Sequence, residues 1–185
     1  YHNNSPDTLH KIVIRLYQDI FKAGGSRDFS VPKSALADRV KINSLLINDE
    51  ELTSLEGMIQ RSETNLSVYL PKHLVPKSEV KIYVEWSFEI PFVSPIRMGA
   101  YKSGLYYLAY WYPQIAVYDD IDGWDINEYY GRAEFYNDFN NYSFKIAKSM
   151  AAKSNWNSYS TEGTPGNDPG SNNSSGFSAL PGGDR

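Results

Sequence analysis

The chain has 185 residues, a net charge of −4 at pH 7, no cysteine and 15 tyrosines. That length suits one ordinary domain with a tail, and the scattered Lys and Arg residues form no basic stripe that would draw nucleic acid. The lack of cysteine excludes disulfides, thiolate catalysis and Cys-based zinc sites, and no apolar run approaches the roughly 20 residues that a membrane-spanning helix needs.

Tyr, Trp and Phe abound and the β-branched residues gather in short runs, a composition that predicts an all-β fold. The chain opens on Tyr1-His2-Asn3-Asn4-Ser5-Pro6, which reads as the end of a strand entering a turn, as in an excerpt from a longer protein. Leu9 to Leu16 sets Ile12, Ile14 and Leu16 on one side and Lys11 and Arg15 on the other, a period of two that predicts a strand with one buried face. Gly24-Gly25 marks a turn, and Arg39 to Ile47 reads as a strand, with Val40 and Ile42 alternating before an apolar end. Leu66, Val68 and Leu70 alternate with Ser67 and Tyr69 up to Pro71, which cannot donate to a ladder and is expected to stop that strand.

Val80, Ile82, Val84, Trp86, Phe88 and Ile90 interleave with Lys81, Tyr83, Glu85, Ser87 and Glu89, the clearest strand pattern in the chain. Residues 92–104 have no period and contain Pro95, Gly99 and Gly104, so they read as a long surface connection. Leu105 to Tyr118 is aromatic and apolar on both faces, as expected of a strand covered on two sides and bent at Pro113. A polar turn, Asp119 to Gly123, leads to Trp124, and two more strands are expected at 132–136 and 142–146. From about Lys148 onward Ser, Asn, Gly, Pro and Thr dominate, and too few apolar residues remain to offset the entropy of ordering, which predicts a loose tail.

Catalytic patterns are missing. His2, His10 and His73 stand outside any H-E-x-x-H arrangement, the pattern that pairs zinc with a general base, and they read as exposed strand or loop residues. Neither G-x-S-x-G, G-x-G-x-x-G nor a phosphate-binding loop occurs. Asp119, Asp120, Asp122 and Asp125 surround Gly123, yet with Gly123 in the glycine place of an EF-hand the first ligand would be Tyr118 and the last Tyr129, so a solvated turn fits better. Tyr106, Tyr107, Tyr110, Trp111 and Tyr112 read first as packing, within the core or against another domain, and second as a stacking platform for sugars or peptides.

Two stretches resemble a known family. Tyr1 to Leu9 is similar to the "NNSPDTL" segment in the N-terminal domain of aminopeptidase N-like (gluzincin) zinc peptidases of Bacteroidetes type. Tyr110 to Asp120, then Gly123-Trp124 and Gly131 to Tyr136, resembles their "QWYPRMAVYDD…GW…YLGRGEFY" region, and Phe139 to Ile146 their "FGDYDVKI" strand. Farther on, Lys153-Ser154-Asn155-Trp156 and Gly176 to Gly183 resemble the Fibrobacter succinogenes major paralogous domain, a surface-protein module. The expected organisation is a partial aminopeptidase N-like β domain over 1–147 and a partial paralogous domain over 148–185, joined near Ala147 by fusion, truncation or a change of frame.

The resemblance implies an antiparallel, saddle-like sheet or sandwich leaning on a thermolysin-like domain that carries H-E-x-x-H and G-x-M-E-N. This chain would then hold no cofactor, zinc belonging to the parent enzyme, and would be inactive alone. Its implied partners are that catalytic domain and the amino end of a peptide substrate, in a periplasmic, cell-surface or secreted parent protein. The family's N-terminal domain lends one polar side chain to the substrate amine; its Gln before "WYP" is Tyr110 here, which leaves Tyr110 and Gln114 as substrate-side candidates. The alternative, from another class, is a cell-envelope binding or adhesion module whose tail and aromatic run contact polysaccharide or protein.

Overall fold

In the computed structural model, which describes residues 1–52, 57–92, 96, 98–101, 105–132, 135–141 and 160, the alternating run near the start forms β1 (Leu9–Arg15). It lies between β5 (Asn65–Leu74) and the two-residue β9 (Gln114–Ile115), and β5 pairs in turn with β4 (Ile59–Arg61). A second sheet has β2 (Lys41–Ile47) at its centre, between β3 (Glu50–Glu51) and β6 (Ile82–Ser87). Two hairpins complete the set: β7 (Met98–Tyr101) with β8 (Leu105–Leu108), and β10 (Tyr118–Asp119) with β11 (Gly123–Trp124). Every one of these pairings is antiparallel, and the fold is all-β, with short 3-10 turns at Tyr17–Phe21 and Lys33–Ala35.

Both sheets feed one hydrophobic cluster. Ile12 and Val68 from the first and Leu45 and Ile47 from the second are buried together, with Ile82, Val84 and Trp86 of β6 packed against them. In β6 the exposed and sheltered residues alternate as the sequence predicts. A second cluster gathers Tyr17, Ile20 and Phe21 of the first 3-10 turn with Met98, Tyr110 and Tyr129. Asp19 fastens that turn: fully buried, it accepts from Val40 N at 2.7 Å and from Arg61 Nη2 at 2.7 Å, with Arg39 Nε 3.2 Å away. Burial of this carboxylate is tolerated because its oxygens meet two guanidinium groups and a backbone donor.

Several expectations need correction. Pro71 does not stop its strand; β5 runs on to Leu74. Leu9 pairs with Leu74 and Lys11 with Tyr69, so Pro71 falls in the excess of β5 residues over β1 residues, a bulge in which its missing N–H costs no ladder bond. The connection expected at 92–104 contains β7, paired with β8. The aromatic segment 105–118 is three short strands rather than one, and Tyr106 and Tyr107 are exposed. β1 is buried on both faces from Ile12 onward; Arg15, expected on the outer face, is only 3% exposed, covered by the segment that carries Asp125 and Asn127.

By compactness the chain divides into Tyr1–Asp138 and Phe139–Arg185. In the second unit only 139–141 and 160 are described, so the strand expected at 142–146 and nearly all of the tail fall outside the described residues. The strand expected at 132–136 falls partly outside them; Arg132, Phe135 and Tyr136 are not in a strand.

Candidate functional site

The end of β1 carries an arginine into the interior, and the surroundings are arranged to receive it. Arg15 Nη1 donates to Asn65 Oδ1 at 2.6 Å and to Asn127 O at 2.5 Å, while Nη2 donates to the Asp125 carboxylate. Its Nε–H meets no acceptor among the described residues. A guanidinium removed from water needs this kind of satisfaction; Asn65 supplies one acceptor from the start of β5, and Asn127 and Asp125 supply the others from the segment 125–129.

That segment is strapped down by side chains. Asn65 Nδ2 donates to Ile126 O at 3.0 Å, Glu128 accepts from Thr64 N at 2.6 Å and Thr64 Oγ1 at 2.8 Å, and Tyr129 N donates to Thr64 Oγ1 at 2.9 Å. The β10–β11 hairpin leads into it through a tight turn in which Asp119 Oδ1 accepts from Ile121 N at 2.9 Å and Asp122 N at 2.7 Å. Gly123 closes the turn at φ +77°, a left-handed conformation that glycine adopts without a side-chain penalty.

Together these pieces enclose a cavity of about 510 Å³. Arg15, Tyr17, Trp124 and Tyr129 are its buried lining, and Asp122, Ile126, Asn127 and Tyr136 its exposed rim. Tyr17, Tyr129 and Phe135 meet ring to ring, with centroids 4.8 to 5.2 Å apart. Four carboxylates, Asp119, Asp122, Asp125 and Glu128, and one guanidinium line the cavity, so its wall is negative.

Asp119 and Glu128 are held in their charged form. Burial pushes Glu128 up, but hydrogen bonds from Ser62, Thr64 and Glu63 outweigh it and leave the carboxyl below its usual value. The backbone N–H groups of Asp122 and Ile121 hold Asp119 down. Burial raises Tyr17, with the Arg15 charge acting against it, so its hydroxyl stays protonated and donates to Asn137 Oδ1 at 3.1 Å. Asp122 keeps a carboxylate to which no described residue donates.

The two substrate-side candidates both lie beside this cavity and outside its lining. Tyr110 is buried behind the aromatic wall, 5.7 Å from Tyr17 and 5.0 Å from Phe135 between ring centroids. Its backbone oxygen accepts from Gln18 Nε2 at 2.6 Å, and its φ of +38° reverses the chain between β8 and β9, a conformation sparsely populated by non-glycine residues. Gln114 is half-buried in β9 opposite Arg15. The aromatic run divides: Trp111 stacks on Trp86 with centroids 6.0 Å apart, Tyr112 meets the edge of Trp111, and Tyr106 and Tyr107 point outward at 40% and 56% exposure.

The three histidines are exposed. His10 and His73 touch across β1 and β5 with ring centroids 4.0 Å apart, while His2 accompanies Asn4. Among the described residues no group of three or more His, Cys, Asp or Glu side chains is placed to hold a metal ion, and no helix is long and apolar enough to cross a membrane.

Arg15 and Glu128 are site residues that sequence reasoning missed, and Asp125, read from the sequence as part of a solvated turn, is the counter-charge of Arg15. A charged residue in the run Ile12-Val13-Ile14-Arg15-Leu16 was the available signal, but its partners lie up to 112 positions away. Set against family models, curated proteins and solved structures, the chain matches none.

Proposed function

We propose that this chain is the non-catalytic, substrate-side β domain of a zinc aminopeptidase-type protein, and that its cavity receives the free amino end of a peptide. The carrying observation is the combination of negative charge and aromatic wall: four carboxylates and one guanidinium line a cavity of about 510 Å³ together with Tyr17, Trp124, Tyr129 and Phe135. An ammonium group gains there from carboxylates and from ring faces at once. Asp122 offers an unused acceptor at the rim. The resemblance of Tyr110 to Asp120 and Gly131 to Tyr136 to the family's pattern supports the same assignment.

The described residues do not fit a zinc ion, since the His10–His73 pair brings no third ligand. On the resemblance, the metal, the general base and the hydrolytic step are assigned to a catalytic domain that this one would abut, in a periplasmic, cell-surface or secreted parent protein. Titration calorimetry with trialanine and with N-acetyl-trialanine tests the assignment. Loss of one charge-assisted contact predicts about tenfold weaker binding of the acetylated peptide, and equal affinity would sink the proposal. A second reading, a cell-envelope module that binds polysaccharide, is favoured by the outward-facing Tyr106 and Tyr107; oligosaccharide binding that disappears in Tyr107→Ala would support it.

A further inference from the structure

Two of the chain's three histidines touch across neighbouring strands. Leu9 of β1 and Leu74 of β5 are registered partners, and both are buried. The next residues inward on the two strands, His10 and His73, turn to the opposite face, where both are exposed. Their ring centroids are 4.0 Å apart with an interplanar angle of 77°. Beyond them the register slips, so that Lys11 meets Tyr69, and the pair sits at the edge of the bulge that 70–73 form. Bulges re-aim side chains and are frequent beside functional sites. Among the described residues neither imidazole takes part in a hydrogen bond or an ion pair, in contrast to His2, whose Nδ1 lies 2.8 Å from Asn4 Oδ1. Both rings face water, so their contact adds little to the core.

We propose that His10 and His73 together chelate a divalent transition-metal ion, and that the ion is copper(II). Imidazole nitrogen suits copper, nickel and zinc, and among these copper(II) binds tightest at a given site. Two histidines are fewer than the three protein ligands of a catalytic zinc site. Copper(II) accepts a planar set of nitrogen and oxygen donors, which water completes.

The geometry of the pair is close to what one ion requires. Two imidazoles bound side by side, with bonds of about 2.0 Å, hold their centroids about 4.5 Å apart, against the 4.0 Å observed. Exposed rings with a broad χ2 accommodate the turn that brings one nitrogen of each onto the ion. Both side chains are carried by paired strands, so once one imidazole holds the ion the second is presented at high effective concentration. The bound ion joins β1 to β5 where their ladder lapses. It engages no residue of the cavity, and failure of either proposal leaves the other standing.

Titration of copper(II) chloride into the ¹⁵N-labelled chain near neutral pH tests it. Copper(II) is paramagnetic and broadens nearby resonances, so below one equivalent the amides of His10, Lys11, His73 and Leu74 should fade while those of Asp122 and Trp124 stay sharp. Calorimetry should give one tight site per chain, weakened about tenfold or more in His10→Gln and in His73→Gln and unchanged in His2→Gln. Zinc(II) should bind the same pair more weakly. Both histidines are exposed, so the urea midpoints of the two variants without metal should match the wild type, and copper should raise the midpoint only where both histidines are present. The proposal is overturned if fading begins at His2 or around Asp119 to Asp125, or if either single variant binds copper as tightly as the wild type. The broadening pattern of the wild-type chain decides independently of either variant's folding.

Discussion

Replacing Arg15 by leucine tests whether the cavity floor is built on the guanidinium. Arg15 is 3% exposed and donates to Asn65, Asn127 and Asp125. Leucine keeps an apolar stem, removes all three bonds and leaves Asp125, whose side chain is 12% exposed, without its counter-charge. Removing one partner of a buried ion pair costs about 3–5 kcal/mol, and each neutral acceptor left dry adds about 1 kcal/mol. Asp125 retains bonds from Asn127 N and Nδ2, which holds the expected total near about 4 kcal/mol. With a urea slope of about 1–3 kcal/mol per molar, the unfolding midpoint followed by tryptophan fluorescence should fall by about 2 M. Arg15→Leu combined with Asp125→Leu should recover about half of the loss, because an apolar pair often substitutes for a buried ionic one at little cost. A loss below about 1 kcal/mol, the range of an exposed pair, or a double variant less stable than the single one, would refute the reasoning.

Asp19→Ala should lower stability by about 3 kcal/mol in urea, since it leaves Val40 N and two guanidinium groups without their shared acceptor; a midpoint unchanged from the wild type would show that water replaces the carboxylate. At Gly131, φ is +106° and an added Cβ would lie 2.1 Å from Phe29 Cε1, so Gly131→Ala should cost about 2 kcal/mol, and an unaltered melting temperature would mean that this segment moves freely. Glu63 and Glu128 both titrate below their usual value, Glu63 chiefly through the Lys22 hydrogen bond and Glu128 through hydrogen bonds that outweigh its burial. A carboxyl whose folded value is depressed contributes fully above its unfolded value, about 4.3 for Glu, and that contribution disappears as pH falls through the folded value. Urea midpoints should therefore hold between about pH 7 and 5 and decline below, less steeply in Glu128→Gln; the same decline in wild type and variant would contradict this. Asp122→Asn should weaken trialanine binding about fivefold with an unchanged urea midpoint, the carboxylate being exposed at the rim and bonded to no described residue.

The strands with a clean period of two were legible in the sequence: β1, β2 and β6 fall where alternation placed them. What sequence could not supply was which layers cover each strand's two faces. Val13 and Arg15 of β1 are buried although half of that strand was expected to face water, Arg15 beneath the segment that carries Asp125 and Asn127. Pro71 misled because its effect depends on whether a ladder bond is needed at that residue, and the bulge opposite His10 removes the need. The acidic turn at Asp119 to Gly123 was legible as a turn, and the structure shows how Asp119 closes it. The cavity was not legible, because Arg15, Asn65 and Asp125 meet only through long-range pairing of β1 with β5 and the path of 125–129. A lone arginine among apolar residues carries no record of its partners.

The most direct test of the central claim, that the cavity takes a free amino end, is the indole N–H resonance of Trp124, a buried residue of its lining. Titrating trialanine into the ¹⁵N-labelled chain should shift that resonance together with the amides of Asp122 and Asn127, and N-acetyl-trialanine at the same concentration should leave all three in place. Equal shifts from the two peptides, or shifts confined to Tyr106 and Tyr107, would contradict the account.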